Sequence, residues 1–404
     1  MTAHNKGTNV PASGITDERG NYLIDKLPPG LYDVSVEVAG FKKQVATDVR
    51  LAVEQRARVD FALTPGVAAE TVTVTGQTPV IDTASAELGA VVDEKSILEM
   101  PLSGRKLNKL AYLTPGGAQF GLTVEDTRER EGGGTPSFGG LDPSSNQMNF
   151  DGANNVGIAF SANAVNPTPE TVQEFKVITN NYSAEYGRVG GAVISLVSKS
   201  GTNEFHGNAW EYLSKEALNA NAFFNNRVGR EKPPVDRHTF GGAAGGPILK
   251  NKAFFFGSYE RFIDDFSQPG FATVPSLAER QGDFSKGDGP YGLIPIYDPS
   301  NVVNGARVQF PNNVIPASRI NAISKKVLDL IPYPAPNTAG FPNYSYPSEV
   351  TQRKTRWSAR VDHHFGKDQT VFGRFSWQNS PRIRHIGGVG VPGMKSGIYE
   401  RKDD

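Results

Sequence analysis

The chain has 404 residues, enough for two or three domains with cores of their own. Its 42 basic and 42 acidic residues balance to a formal net charge of zero, so no global field steers it towards nucleic acid, which is not an expected partner. The absence of cysteine excludes disulfides, thiolate metal sites and cysteine nucleophiles, while 44 Gly, 28 Pro, 23 Phe and 13 Tyr describe turns and aromatic strands more than helices.

No stretch approaches the roughly 18 to 20 uninterrupted apolar residues that a transmembrane helix needs. The start, Met1 to Gly7, lacks the apolar run of a secretory signal, which implies either that the protein stays inside or that its true beginning lies upstream. From Gly14 to Leu63 short strands alternate with tight turns. Asp17-Glu18-Arg19-Gly20 turns, Asn21 to Ile24 is a strand, and Leu27-Pro28-Pro29-Gly30 turns again. Leu31 to Val38 is a strand with Val34, Val36 and Val38 inward; after Ala39-Gly40-Phe41 two more strands run to Leu63. The expectation is a small antiparallel β-sandwich over residues 1–66, and by periodicity alone any immunoglobulin-like module would fit. The wording of TDERGNYLIDKLPPGLYDVSVEVAGF resembles the carboxypeptidase regulatory-like domain, of the carbohydrate-binding-like fold. In that family another strand normally precedes the first one read here, which implies a domain truncated at its N-terminus.

Glu70, Thr71, Val72, Thr73, Val74, Thr75 and Gly76 form an isolated β-prone segment after the Thr64-Pro65-Gly66 turn. It could pair with a sheet edge of another chain, and it reads equally as the last strand of the sandwich. A segment of this kind before a plug resembles the Ton box of TonB-dependent outer-membrane receptors. That resemblance implies a TonB-like periplasmic energy-transducing protein as partner.

Asp93 can cap a short helix from Glu94 to Leu98, ended by Met100-Pro101. Leu107, Leu110 and Leu113 then repeat at helical spacing. Residues 115 to 170, with Gly132-Gly133-Gly134 and Gly139-Gly140, would by composition be a linker. Strands follow at Val172 to Ile178 and at Ala192 to Ser198. The run VQEFKVITNNYSAEYGRVGGAVISLVSKSGTNEFHGNAWEYL closely resembles the junction of plug and barrel in Oar-like receptors, and MPLSGRKLNKLAYLTPGG and MNFDGANN are similar to plug segments of the same family. The resemblance implies a plug domain over residues 67–200.

Beyond residue 200 the strands alternate as lipid-facing barrel strands must; by pattern alone a soluble sandwich would show the same, and aromatics near the strand ends favour the barrel. Phe205, Gly207, Ala209, Glu211 and Leu213 share one face, with Trp210 and Tyr212 on the other, suited to an aromatic girdle. Ala253 to Phe262 is a strand with Phe254 and Phe256 opposite Phe255 and Tyr259. Trp357, Ala359, Val361, His363 and Phe365 line one face of a last hairpin, which turns at Gly366-Lys367-Asp368 and returns through Val371, Phe375 and Trp377. Residues 264 to 350 read as one long loop, abnormal in a compact soluble domain but common outside a barrel. A plugged barrel has about 22 strands of about 10 residues, and four to six are legible here. The fold class is therefore mostly β: a small antiparallel β-sandwich, an α/β plug, and over 201–404 the first strands of an incomplete transmembrane barrel.

Other motifs carry less. Gly388-Val389-Gly390-Val391-Pro392-Gly393 satisfies a dinucleotide pattern without its strand, helix and acidic residue. His363 and His364 are adjacent on a strand and point to opposite faces, so they do not converge on a metal. Asp142, Asn146, Asn149, Asp151 and Asn154 offer oxygens to calcium, but in no EF-hand order, and turn chemistry accounts for them. No nucleophile elbow, phosphate loop or triad is present, so neither catalysis nor a cofactor is expected. The resemblance implies uptake of a solute, in the class of carbohydrates or metal complexes, across the outer membrane, with membrane lipid around the strands. The other reading is a cell-surface carbohydrate-binding or adhesion protein without transport.

Overall fold

Asp17 takes the backbone N–H groups of Arg19 and Asn21 on its own carboxylate, and the stretch read as a strand at Asn21 to Ile24 follows this turn without joining a sheet. The computed structural model describes residues 1–66, 71–75, 87–118 apart from 101, 103 and 104, and 136–401 apart from 158–162, 188, 228, 230, 288–291, 331–333, 339, 367–368 and 386–397. Two units result: Met1–Trp210 with Phe240–Glu260 and Thr355–Gln378, and Glu211–Thr239 with Arg261–Lys354 and Asn379–Asp404.

The first sheet contains β1 (Thr2–Asn5), β2 (Pro11–Ser13), β3 (Gly30–Val36), β4 (Lys43–Leu51) and β5 (Thr71–Thr75), in the order β2-β1-β3-β4-β5. Two strands thus precede the first one expected. Val34 and Val36 are buried as expected, but β3 stops short of Val38, which is 42% exposed. Only one of the two strands expected before Leu63 forms. Residues 52–64 form no strand: the chain turns at Val53 and Glu54, and backbone carbonyls beyond accept from side chains instead, Tyr22 Oη donating to Val59 O at 2.6 Å. Ala3, Tyr32, Val34, Ala46 and Val49 make the core, closed by Ile24, Leu27, Val59 and Phe61 from the segments outside the strands.

The middle domain is built on β6 (Leu88–Asp93), α1 (Glu94–Glu99), the short pair β7 (Gly117–Ala118) and β8 (Ser137–Phe138), then β9 (Gln147–Phe150), β10 (Ala153–Asn154), β11 (Val172–Asn180) and β12 (Val193–Ser198). Its sheet runs β10-β9-β12-β11-β6, with β9 and β12 parallel. Asp93 caps α1 by accepting from Ser96 N at 2.9 Å. Leu107–Leu113 is a 3-10 helix, whose three-residue turn eclipses Leu107 on Leu110, both buried, while Leu113 stays exposed. The part of the supposed linker from residue 136 to 156 is ordered and contributes Phe138, Met148 and Phe150 to a core with Phe175, Val177 and Ile194. Composition could not show this, because the three apolar residues are scattered among Asn, Ser and Gly.

After residue 205 come β13 (His206–Lys215), α2 (Phe223–Arg227), β14 (Val235–Leu249), β15 (Ala253–Ala272), α3 (Leu277–Arg280), β16 (Tyr297–Val303), β17 (Ala306–Gln309), α4 (Ala322–Leu330), β18 (Tyr344–Phe365), β19 (Gln369–Asn379), β20 (Arg382–His385) and β21 (Ile398–Arg401). Strands β13-β14-β15-β18-β20-β21 form one open sheet, with β19 also on β18. Burial alternates as the sequence reading requires. Phe254, Phe256, Glu260, Phe262 and Asp264 are buried on one face of β15, and Tyr259 is exposed on the other. On β18, Trp357, Val361 and Phe365 are exposed and Arg360 and Asp362 buried.

The stretch 264–350 is not one loop. Strand β15 runs on to Ala272, β16 and β17 make a hairpin, and β18 begins at Tyr344. Within it Asn313 acts as a staple, donating to Phe284 O at 2.9 Å and Ile294 O at 2.8 Å while accepting from Ile296 N at 2.6 Å. Asn343 does the same for both backbone groups of Val274, at 2.8 Å each. Buried amides thus satisfy backbone groups that have no ladder partner.

Candidate functional site

Three features bear on function, all within the first unit. The first is the segment singled out by sequence. Thr71 to Thr75 form β5, parallel to β4 in the register Lys43–Thr71 to Thr47–Thr75. Val72 and Thr73 are exposed; Glu70 and Gly76 lie outside the described residues, as does the glycine-rich motif 388–393.

The second is the attachment of the small domain to the middle one. The chain leaves β4 and turns at Glu54, whose φ of 54° is left-handed. There Val53 N donates to Glu174 Oε2 at 2.6 Å, Ser195 Oγ donates to Glu54 Oε1 at 2.7 Å, and Lys176 Nζ donates to Glu54 O at 3.2 Å. Lys176 also pairs with Glu87 at 3.0 Å. Burial pushes the Glu174 carboxyl above its usual range, against the pull of Val53 N–H and Arg50. Burial and the neighbouring Glu54 carboxylate raise the Tyr186 phenol well above its ordinary value. These contacts join faces of the two domains and are not the passing contacts of a loose tether.

The third is a pair of buried charge clusters between the middle domain and the strands. In one, Asp151 follows β9 with its side chain 4% exposed. It accepts from Arg374 Nε at 2.7 Å and Arg360 Nη1 at 3.3 Å, and from Ser198 N and Oγ at 2.8 Å each. Arg360 pairs in turn with Asp362 at 2.8 Å, whose other oxygen accepts from Ser200 Oγ at 2.7 Å. The Arg374 guanidinium lies 3.7 Å from the Phe150 ring centroid. In the other cluster, Arg105 pairs with Glu170 and lies 3.4 Å from Glu260, which also meets Arg356 at 3.4 Å. Burial raises the Glu170 carboxyl, partly offset by Arg105. Four charges of each sign pair compensate one another, the condition under which such groups tolerate burial.

Trp210 belongs to this second cluster and not to a girdle. Its indole carries Arg105 5.9 Å above the ring and packs where Gly241 has no Cβ. The exposed aromatic face is instead Trp357, Phe375 and Trp377, with ring centroids 4.9 Å and 6.4 Å from Trp357. His364 meets Thr370 Oγ1 at 2.9 Å and His363 packs on Phe365, so the two rings do not converge. Of the supposed calcium ligands, Asp142 accepts from Ser144 N, Asn146 links Pro136 O to Ala192 N, and Asp151 is engaged by arginines. Among the described residues no three His, Asp or Glu side chains are grouped to hold a metal ion.

The arginines of these clusters escaped sequence reading, although a signal was present. On a strand where Trp357, Val361 and Phe365 share one face, Arg360 and Asp362 stand at even positions and must point to the other.

Comparison with known proteins gives two family matches. Residues 197–401 match the outer membrane beta barrel domain, and residues 1–64 the carboxypeptidase regulatory-like domain. The TonB-dependent transporter Oar of Myxococcus xanthus is 30% identical over 277 residues, which is 64% of this chain and 24% of that protein. The chain therefore spans about a quarter of the length of this relative. Among solved structures, a mutant of the ferric enterobactin receptor of Pseudomonas aeruginosa aligns with a TM-score of 0.39 at 13% identity, covering 78% of this chain and 36% of the other. The outer membrane transporter YddB of Escherichia coli aligns with a TM-score of 0.39 at 10% identity, covering 74% and 39%.

Proposed function

We propose, from the premise that this chain belongs to the family of outer membrane β-barrel domains, that it supplies the first domain, the plug and barrel strands of an energy-coupled receptor for solute uptake. In this reading residues 1–66 are a regulatory-like β-domain, 67–200 the plug and 201–404 barrel wall. The observation that carries it is Asp151: a buried carboxylate of the middle domain held by two arginines from adjacent barrel strands, β18 and β19. A domain fixed by compensated polar contacts can be released without exposing an apolar core, as a plug must be. The exposed face of Trp357, Val361, Phe365, Val371, Phe375 and Trp377 is the surface for membrane lipid.

The segment Glu70 to Gly76 is the grip for a TonB-like periplasmic energy-transducing protein, which is what the name of the Myxococcus relative implies for that protein. Its β-prone sequence and its place at a sheet edge support this. The solute is of the class of carbohydrates or metal complexes. Deleting residues 70–76 tests the reading: binding of the purified periplasmic portion of TonB should be lost, with the wild-type content of β structure retained. Undiminished binding by the deleted chain would overturn it.

A further inference from the structure

Asn203, just before β13, binds the small domain and a strand turn together. Its backbone N–H donates to Gly7 O at 2.9 Å and its Nδ2 to Thr8 O at 2.7 Å. The same side chain exchanges hydrogen bonds with Asn251, in the turn between β14 and β15, at 2.8 Å each way. At its other contact the small domain holds the middle-domain sheet through Val53 and Glu54, and through Pro29 O, which accepts from Gln173 Nε2 at 3.2 Å. We propose that the small domain is a brace tying the middle domain to the first barrel strands, and that the middle domain comes away from those strands only after the contact at Asn203 opens. The inference rests on the reading of 67–200 as a plug and 201–404 as barrel wall.

A body bonded to two others keeps them together until one set of bonds breaks, and the two sets here are unequal. On the middle domain, Glu174, Lys176 and Ser195 are 4%, 8% and 3% exposed, and their bonds to Val53 and Glu54 involve charged groups from which water is excluded. At the other end the bonds join neutral amides, and Gly7 and Asn251 are exposed, so water replaces each lost partner. The exposed contact is the one that gives way.

It is also built to open and close. Asn5 Oδ1 accepts from Gly7 N at 2.9 Å and Thr8 N at 3.0 Å, which shapes the small-domain turn without help from Asn203. No apolar core has to be broken either: among the described residues the two buried clusters stay within their own domains, Met1 to Phe61 in one and Val92 to Leu196 in the other.

The contact can be locked where it is expected to open. A Cβ added at Gly7 would lie 3.8 Å from Thr202 Cβ, the spacing of a disulfide, and the chain has no cysteine to compete. G7C/T202C is made in a W357F/W377F background, so that Trp210, which lies under Arg105 of the middle domain, is the sole indole and reports the separation. The 404-residue chain in detergent micelles is titrated with urea, oxidised and then reduced. Oxidation is expected to shift the Trp210 transition to higher urea. Adding E54G/E174A, which removes both carboxylates of the middle-domain contact while suiting the left-handed backbone at 54, is expected to abolish that shift. No shift on oxidation overturns the inference. A shift that survives E54G/E174A overturns it too, because the crosslink then acts only by closing a chain loop. A Trp210 transition that coincides with loss of the β circular-dichroism signal in the reduced chain would mean that the middle domain is not a separable body, which overturns the plug reading and this inference with it. Should the crosslink not form or the substituted chain not fold, hydrogen exchange on the wild type decides: the amide of Asn203 is expected to exchange before that of Val53, and the reverse order overturns the inference.

Discussion

Asp151 accepts a hydrogen bond from Arg374 Nε at 2.7 Å across 223 positions of sequence, joining the turn after β9 to strand β19. The two groups are buried together with Arg360, Ser198 and the Phe150 ring, so each is expensive to strand without the others.

Substituting Asp151 by Ala should therefore cost about 3 to 5 kcal/mol, because it leaves Arg374 buried beside an uncompensated site. Denaturant unfolding in detergent measures this. A cycle with R374A should show coupling of about 0.5 to 3 kcal/mol, and additive losses would mean that the pair is not a unit.

Arg105 spans Glu170 and Glu260 and covers the Trp210 ring. A lysine keeps the charge but presents a single point donor without the planar fork. R105K should lose about 1.5 to 3 kcal/mol. A loss no larger than that of an exposed R58K control would show that charge alone suffices.

Glu174 gives a pH dependence. Its carboxyl is raised in the folded chain by burial, so between its ordinary and its folded pKa the folded state binds more protons than the unfolded. Its stabilising contribution is fully present below the ordinary carboxylate pKa and is lost as pH rises through the raised folded value. Relative to E174Q, which cannot titrate, the wild type should gain stability as pH falls through this window. Thermal melts of the two proteins across the acid range measure the difference, and a constant offset would refute it.

Gly241 faces Trp210 so closely that an added Cβ would lie 2.5 Å from the indole and 2.3 Å from Tyr259 O. The carbonyl is backbone and cannot swing aside. G241A should cost about 1 to 3 kcal/mol and change the fluorescence of Trp210. Unchanged emission would mean that the indole does not pack there.

Much of the fold follows from local pattern. Strands β11, β12, β15, β18 and β19 were legible from alternation, and α1 from its Asp93 cap, because these signals depend on neighbours two to four residues away. What failed failed for a physical reason. Asn21 to Ile24 has strand composition, but Asp17 captures the backbone N–H of Asn21 at its start. Residues 136–156 have linker composition, but Phe138, Met148 and Phe150 find a core supplied by distant strands. Trp210 looks like a girdle residue until Gly241 and Arg105 are brought to it.

By itself, then, the sequence determined the β character, the strands with one apolar face, the edge-prone stretch at 70–76 and the absence of thiol chemistry. Tertiary structure alone decided which charges meet. Asp151 with Arg360 and Arg374, and Arg105 with Glu170 and Glu260, are separated by up to 223 residues, and no periodicity encodes a pairing over that distance. Burial then turns those meetings into strong constraints, since a charge taken from water must find its partner or forfeit the fold.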